Sequence, residues 1–254
     1  MQPERAYALI IPALNEFATI AEVLRQVPPR MFSQILVVDN GSQDRTAEVA
    51  SAAGAEVVSE PRRGYGQACL AGLAGLRPAI TAVVFMDGDL SDDPADLVRL
   101  LSAFERDDRD LVIGSRALGD AEPGALTPLQ RLGNWLTSRL IRWIWHVTYT
   151  DLGPLRAIRR EALVALELGD KNFGWNVEMQ AKAARLRMKV AEIPVTYRRR
   201  RAGQSKISGS LVNSLCAGIK ILWTVYRCWR APLGARATAD SAVSQPTGRA
   251  AGSK

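Results

Sequence analysis

The sequence predicts an α/β fold with a mostly parallel sheet flanked by helices. Three observations predict it. Short apolar, β-branched-rich runs at 7–11, 34–38, 56–59, 83–86 and 111–114 alternate with helical periodicities near 19–26, 44–53, 66–76 and 94–105, the pattern of parallel strands joined by crossover helices. Three of those runs end abruptly in acids or amides just before a helix start. Their carboxyl ends would therefore share one sheet edge, where open α/β sheets bind ligands. Lastly, a chain of 254 residues that is 47% hydrophobic can bury the core of one enzyme-sized domain.

The first run, Ala8 to Pro12, leads to Asn15 and Glu16, followed by Thr19 and Glu22 at capping-box spacing. The second repeats the design, with Asp39-Asn-Gly41-Ser42 at its end and Asp44 beyond. Ahead of the third helix stands Arg62-Arg63-Gly64-Tyr65-Gly66. Its glycines permit close backbone approach and the helix amino terminus favours an anion, although a flexible turn with solvated arginines reads equally well. The fourth run, Val83 to Met86, stops at Asp87-Gly88-Asp89. Taken alone, this D-x-D is ordinary turn punctuation. At the end of a buried strand its hard oxygen ligands suit Mg²⁺ or Mn²⁺ carrying a diphosphate, which points to nucleotide-sugar chemistry. Pro94 and Asp96 then mark a helix start.

Beyond Gly119 the period changes. From Thr127-Pro128 to Val147, Leu129, Leu132, Leu136, Leu140, Trp143, Ile144 and Val147 recur at spacings of three and four, with Arg131, Arg139 and Arg142 between them. Such a helix either packs on the core or lies in a membrane interface, and Trp135, Trp143 and Trp145 among the arginines suit the interface. His146 at its end reads as solvated or capping. Asp151, Trp175 and Glu178 follow in apolar surroundings; Asp151 reads equally as a turn residue and Glu178 as a charge near a helix amino terminus. A further apolar helix, about 210–229, is interrupted by Lys220 and Arg227 and is expected to lie on a membrane or the domain, not to cross a bilayer. Residues 231–254 have the small, polar composition of a disordered tail. The chain thus divides into a catalytic domain at 1–206, an amphipathic helix at 207–230 and a tail at 231–254.

Cys69, Cys216 and Cys228 lie far apart without metal-ligand spacing, and the first strand begins a few residues after Met1 with no room for a signal peptide. A reduced, cytoplasmic setting is expected. Net charge is +7, but it is unevenly spread: from Tyr197 onward eleven Lys or Arg face the single Asp240, whereas residues 1–196 hold 22 bases and 25 acids. That asymmetry points to a polyanion, either an anionic membrane surface or substrate phosphates. Nothing resembles a nucleic-acid module, so nucleic acid is not expected as a partner.

The blocks Pro12-Ala-Leu-Asn15-Glu16, Val38-Asp39-Asn-Gly-Ser42, Asp87-Gly88-Asp89, Gly114-Ser-Arg116 and Arg201-Ala-Gly-Gln-Ser205-Lys206, in this order, resemble family 2 glycosyltransferases of the dolichyl-phosphate mannose synthase type. The resemblance runs from about Tyr7 to Lys206. It implies a GT-A (Rossmann-like) fold, a nucleoside-diphosphate sugar donor, Mg²⁺ or Mn²⁺ on Asp87 and Asp89, and inversion at the anomeric carbon. Donor-binding residues by resemblance are Pro12, Asn15, Glu16, Asp39, Gly64, Gly66, Asp87 and Gly88, and the acceptor side comprises Asp151, Trp175, Glu178 and Ser205. Two departures stand out: Ser91 replaces the usual Gln two residues after the second acid, leaving that metal position to water or Asp92, and Asp39-Asn40 stands where many relatives carry two acids.

With a polyprenyl phosphate as acceptor, the attacking oxygen is already anionic and needs no general base. The enzyme must then hold two anionic partners together, a task for cations. On this reading Asp89 holds the metal, Arg116 and Arg131 hold the acceptor phosphate, and Arg201 with Lys206 closes over the phosphates on a Gly-containing loop. Arg198 to Arg200 are expected mainly as a solvated face. The expected enzyme moves a hexose to polyprenyl phosphate while peripherally bound to the cytoplasmic membrane face. The alternative is a family 2 transferase with a hydroxyl acceptor on a glycan or small metabolite, for which Asp151 or Glu178 would be the base. A nucleotidyltransferase, which releases pyrophosphate, and a binding or scaffold protein with a dead site are the remaining readings.

Overall fold

The computed structural model describes residues 6–201 and 211–231, the latter segment with side chains from Gly218 onward. Strands form where the apolar runs predict: β1 (Tyr7–Ala13), β2 (Gln34–Asp39), β3 (Glu56–Ser59), β4 (Ala82–Phe85) and β5 (Leu111–Ser115). Between them lie α1 (Ile20–Gln26), α2 (Thr46–Ala52), α3 (Tyr65–Ala74) and α4 (Asp96–Arg106). The second half adds α5 (Pro128–Trp145), β6 (Arg156–Arg159), α6 (Arg160–Leu166), α7 (Trp175–Arg185), β7 (Val190–Pro194) and α8 (Leu211–Arg230).

Among the described residues one seven-stranded sheet runs in the order β3-β2-β1-β4-β6-β5-β7. Strict strand–helix alternation implies parallel neighbours, and β3 to β4 obey it. The exception is β6, which lies antiparallel between β4 and β5. Asp151 is tied to Arg116, just past the end of β5, so the chain re-enters the sheet at the edge where β5 left it. A strand that starts there can only run backwards.

Successive residues of a strand face opposite sides, and β1 shows it. Leu9 and Ile11 join Val84, Leu97 and Leu100 in one core layer, whereas Ala8 and Ile10 join Phe85, Ile113 and Trp175 in the other. The second layer is locked by an edge-to-face contact of Phe85 with Trp175, ring centroids 6.1 Å apart. Trp175 is therefore a core residue under the sheet.

The long helices place their faces differently from a plain core-packing stripe. A capping box starts α5: the Gln130 backbone N–H donates to Thr127 Oγ1 at 3.2 Å and Gln130 Oε1 accepts from the Thr127 N–H at 2.8 Å. Thr137, Ser138 and Ile141 form its buried side, while Leu132, Trp135 and Trp143 are 56%, 54% and 77% exposed. α8 packs against α5 and α7 through buried Thr224, Val225 and Cys228. Arg185 fastens it by donating to the Cys228 and Ala231 carbonyl oxygens at 2.8 and 2.6 Å. Ile219, Leu222, Trp223, Tyr226 and Trp229 stay exposed. Among the described residues no helix is long and apolar enough to cross a membrane.

Candidate active site

β1, β2 and β4 end side by side, and short polar bonds set the geometry of that edge. Asn15 adopts a left-handed φ of 54°. Its side-chain oxygen accepts from the Gln43 N–H at 2.8 Å, and its own N–H donates to Ser42 Oγ at 3.0 Å. Asp39 Oδ1 accepts from the Ser42 N–H at 3.1 Å. Thr19 does not complete the expected capping box. Instead its hydroxyl donates to the Gly88 carbonyl at 2.8 Å, fixing the D-x-D loop to the start of α1, and Glu22 pairs with Arg25 and Gln26.

Asn40 organises the loop at 60–64. Its side-chain nitrogen donates to the Glu60 and Arg62 carbonyls at 3.0 and 2.8 Å, and its oxygen accepts from the Gly64 N–H at 2.8 Å. An amide serves both roles at once, which a second acid could not. Gly64 has φ 146°, and a Cβ there would lie 2.2 Å from the Lys171 carbonyl oxygen; at Gly66 it would lie 2.0 Å from that of Asp170. The glycines thus let the amino terminus of α3 meet the 170–172 loop.

Three acids meet at the end of β4. Asp92 Oδ2 accepts from the Asp87 N–H at 3.2 Å, but Asp92 Oδ1 and Asp87 Oδ1 are buried without a hydrogen-bond partner among the described residues. Burial and the nearby Asp89 charge push the Asp87 carboxyl up to about 6; burial and Asp87 raise Asp92 as well. Asp89 accepts from the Ser91 N–H at 2.9 Å and pairs with Arg200 Nε at 2.6 Å. Ser91 therefore serves Asp89 through backbone and hydroxyl.

Across the cleft, Arg116 bonds Asp151 at two points, Nε–Oδ2 2.6 Å and the second amine to Oδ1 2.8 Å. Asn134 also donates to Asp151, at 2.6 Å, and the Arg116 guanidinium lies 4.9 Å over the Tyr197 ring. Burial opposes the Asp151 charge, yet the Arg116 bond and charge outweigh it and hold this carboxyl below the usual range.

The structure brings Pro12, Glu16, Gly64, Asp87, Gly88, Asp89 and Arg116 together around one cleft of about 460 Å³. Asn15, Asp39 and Gly66 support its rim. Arg116, Arg131 and Asp151 together line a neighbouring cavity, but Arg131 and Arg116 do not form one free pair, because the Arg116 fork is occupied by Asp151. Glu178 stands away from the cleft, where its carboxylate accepts from the Gly169 and Asp170 N–H groups at 3.0 and 2.7 Å and pairs with Lys182 and Arg227 at 3.0 and 3.2 Å. Arg201 is exposed and does not line the cleft. Ser205, Lys206 and the tail from 232 lie outside the described residues.

Arg200 was hidden by its setting in four consecutive arginines. The segment is extended there, bridging Asp92 and Ala121 through Tyr197, so Arg198 and Arg200 point one way and reach Asp93 and Asp89. Two of the three arginines expected on a solvated face are therefore ion-paired. Period-two reading of that run would have separated them. Asn40, Tyr65 and Asn134 on the cleft wall carried no comparable signal.

A mostly parallel sheet with an acid cluster at its carboxyl edge defines an α/β enzyme of the GT-A type. The glycosyl transferase family 2 model matches residues 8–166, and the chain belongs to that family. It is 38% identical over 221 residues to an uncharacterized glycosyltransferase of Mycobacterium tuberculosis H37Rv, covering 87% of this chain and 97% of that protein. An undecaprenyl-phosphate mannosyltransferase of Micrococcus luteus is 34% identical, with 89% and 98% covered. The polyprenol monophosphomannose synthase of Mycolicibacterium smegmatis is 32% identical, with 84% and 85% covered. Among solved structures, glucosyl-3-phosphoglycerate synthase from M. tuberculosis, crystallised with Mn²⁺, UDP and glucosyl-3-phosphoglycerate, shares the fold with a TM-score of 0.71 at 24% identity, over 90% of this chain and 81% of that one.

Proposed function

We propose that this family 2 glycosyltransferase moves a hexose from a nucleoside-diphosphate sugar to a polyprenyl phosphate, with inversion, at the cytoplasmic face of a membrane. The observation that carries this reading is the state of the acceptor-side carboxylates. Asp151 is held charged by a two-point bond to Arg116, with its pKa lowered, and Glu178 is engaged in an ion network outside the cleft. Neither is placed to take a proton from a hydroxyl. A phosphate oxygen requires no such help. The names of two relatives, an undecaprenyl-phosphate mannosyltransferase and a polyprenol monophosphomannose synthase, support the same acceptor class.

The donor cleft fits a divalent cation. Among the described residues Asp87 Oδ1 and Asp92 Oδ1 are buried acceptors without a donor, a costly arrangement unless a ligand satisfies them. Among the described residues no three His, Cys, Asp or Glu close a metal cage by themselves. That suits Mg²⁺ or Mn²⁺, which bind through one or two carboxylates with the rest of the shell from water and substrate phosphate. Asp87 and Asp89 would hold it, with Asp92 behind them, and when bound it supplies Lewis-acid neutralisation of the leaving diphosphate. The loop at 62–66 and the amino terminus of α3 favour the donor's anion. Arg200, which now balances Asp89, is positioned to bond donor phosphate in its place. Arg131, without an ion-pair partner among the described residues, offers its guanidinium to the acceptor phosphate, which attacks the anomeric carbon as the nucleoside diphosphate departs. We further propose residues 1–206 as the catalytic unit, with Arg201 and Lys206 as phosphate-binding groups and Ser205 on the acceptor side.

Exposed Trp135 and Trp143 on α5 and Trp223 and Trp229 on α8, interleaved with arginine, support peripheral membrane contact. The test is mass spectrometry of products from a panel of nucleotide sugars with polyprenyl phosphate and Mg²⁺ or Mn²⁺. A glycosyl phosphopolyprenol with a free nucleoside diphosphate is expected. Transfer to hydroxyl acceptors alone would overturn the reading.

A further inference from the structure

α5 and the segments 116–121 and 148–151 line a second, solvent-open cavity, of about 520 Å³. It shares only Arg116, Leu126 and Asn134 with the donor cleft. Its charge is one-sided. Arg131, Arg139 and Arg142 line it, and none has an ion-pair partner among the described residues. The one carboxylate on its wall among the described residues, Asp151, is already neutralised by Arg116. Ser138 also lines it at 8% exposure, and its Oγ is buried with no hydrogen-bond partner among the described residues. Among the described residues, then, this buried hydroxyl lacks an acceptor and the three guanidinium groups lack an anion.

One end of this cavity is separated from the acceptor arginine. Arg142 follows Arg131 by eleven residues of α5, about 16 Å along a helix rising 1.5 Å per residue. Ser138 and Arg142, four apart, share one helix face. Arg139 is held over the Trp135 ring at 5.3 Å, which limits the freedom lost when it binds. We propose that Arg139, Arg142 and Ser138 form a second phosphate site, distinct from the acceptor's, that takes a phosphate ester. The guanidinium forks match phosphate oxygens, and the hydroxyl supplies a third donor. The exposed Trp135 and Trp143 beside it suit an ester whose carbon side is a bilayer lipid's glycerol; a small soluble phosphate ester presents the same headgroup chemistry.

Two probes separate these sources. Dihexanoyl phosphatidic acid, below its critical micelle concentration, and glycerol 3-phosphate are each titrated by calorimetry into the full chain as wild type, R139Q/R142Q, S138A and R131A. Arg139 and Arg142 are exposed, so their replacement leaves the fold intact. The expected result is a saturable site that survives R131A, weakens about tenfold or more in R139Q/R142Q, and weakens less in S138A. Tighter binding of the lipid assigns a lipid headgroup, and equal binding assigns a free phosphate ester. The KM for polyprenyl phosphate in R139Q/R142Q should stay within about twofold of wild type. Absence of saturable binding by either probe overturns the site. So does binding lost in R131A but unchanged in R139Q/R142Q, an outcome that leaves the acceptor reading standing.

Discussion

Asp151 and Arg116 show how one ion pair decides the chemistry open to a site. The pair is almost fully enclosed, with side-chain exposures of 1% and 10%. Removing the acid strands a buried guanidinium. Asp151→Asn should therefore lower stability by about 3–5 kcal/mol, the usual cost of breaking a buried pair, read from urea unfolding at neutral pH. The sign of the pH dependence follows from the lowered pKa. A depressed carboxyl contributes stability that is complete above its unfolded value near 3.8 and is lost as pH falls through the folded value. The gap between wild type and variant should thus close below about pH 4, and a constant gap would contradict the pairing. Asp89→Asn tests the opposite edge. It keeps the volume and removes the charge, so turnover with Mg²⁺ or Mn²⁺ should vanish while circular dichroism is unchanged; near-normal activity would remove Asp89 from the metal assignment.

At the scale of elements, α5 and α3 carry separable predictions. Arg131→Ala should raise KM for polyprenyl phosphate roughly ten- to a hundredfold, equivalent to about 1.5–3 kcal/mol for a charge-assisted bond, with donor KM little changed. An unaltered acceptor KM would assign Arg131 to the helix surface. Gly66→Ala must push a methyl into the Asp170 carbonyl, so donor KM should rise and stability fall together. The same elements show what sequence could convey. β1 to β5 were legible because each is an apolar run bounded by polar residues. β6 was not: Arg156-Ala-Ile-Arg159 has too few residues for a period, and its direction is set by the distant Arg116–Asp151 bond. β7 is half-buried at the sheet edge and carries Glu192 at its centre, which blurs alternation. The D-x-D announced itself by ending a strand, whereas Arg200 depended on an extended backbone to choose it from its neighbours.

At the scale of the whole molecule, α5 and α8 each carry exposed apolar and basic side chains together. α8 has one face in the core through Val225 and Cys228 and another in solvent through Trp223 and Trp229. It is also pinned electrostatically, Lys220 and Arg227 lying 3.4 and 3.9 Å from Asp170 and Arg227 also reaching Glu178. Deleting α8 would therefore disturb the fold as well as any membrane contact, and surface substitution is the cleaner test. Trp223→Ala/Trp229→Ala removes exposed rings and leaves the buried face and the ion network intact. Binding to anionic vesicles should combine an electrostatic part, which falls as salt screens it, with an apolar part that does not. Co-sedimentation at low and high salt separates the two: the double variant should lose chiefly the salt-resistant fraction while its unfolding midpoint stays close to wild type. Equal vesicle binding by both proteins at high salt would show that the exposed face of α8 does not touch the bilayer.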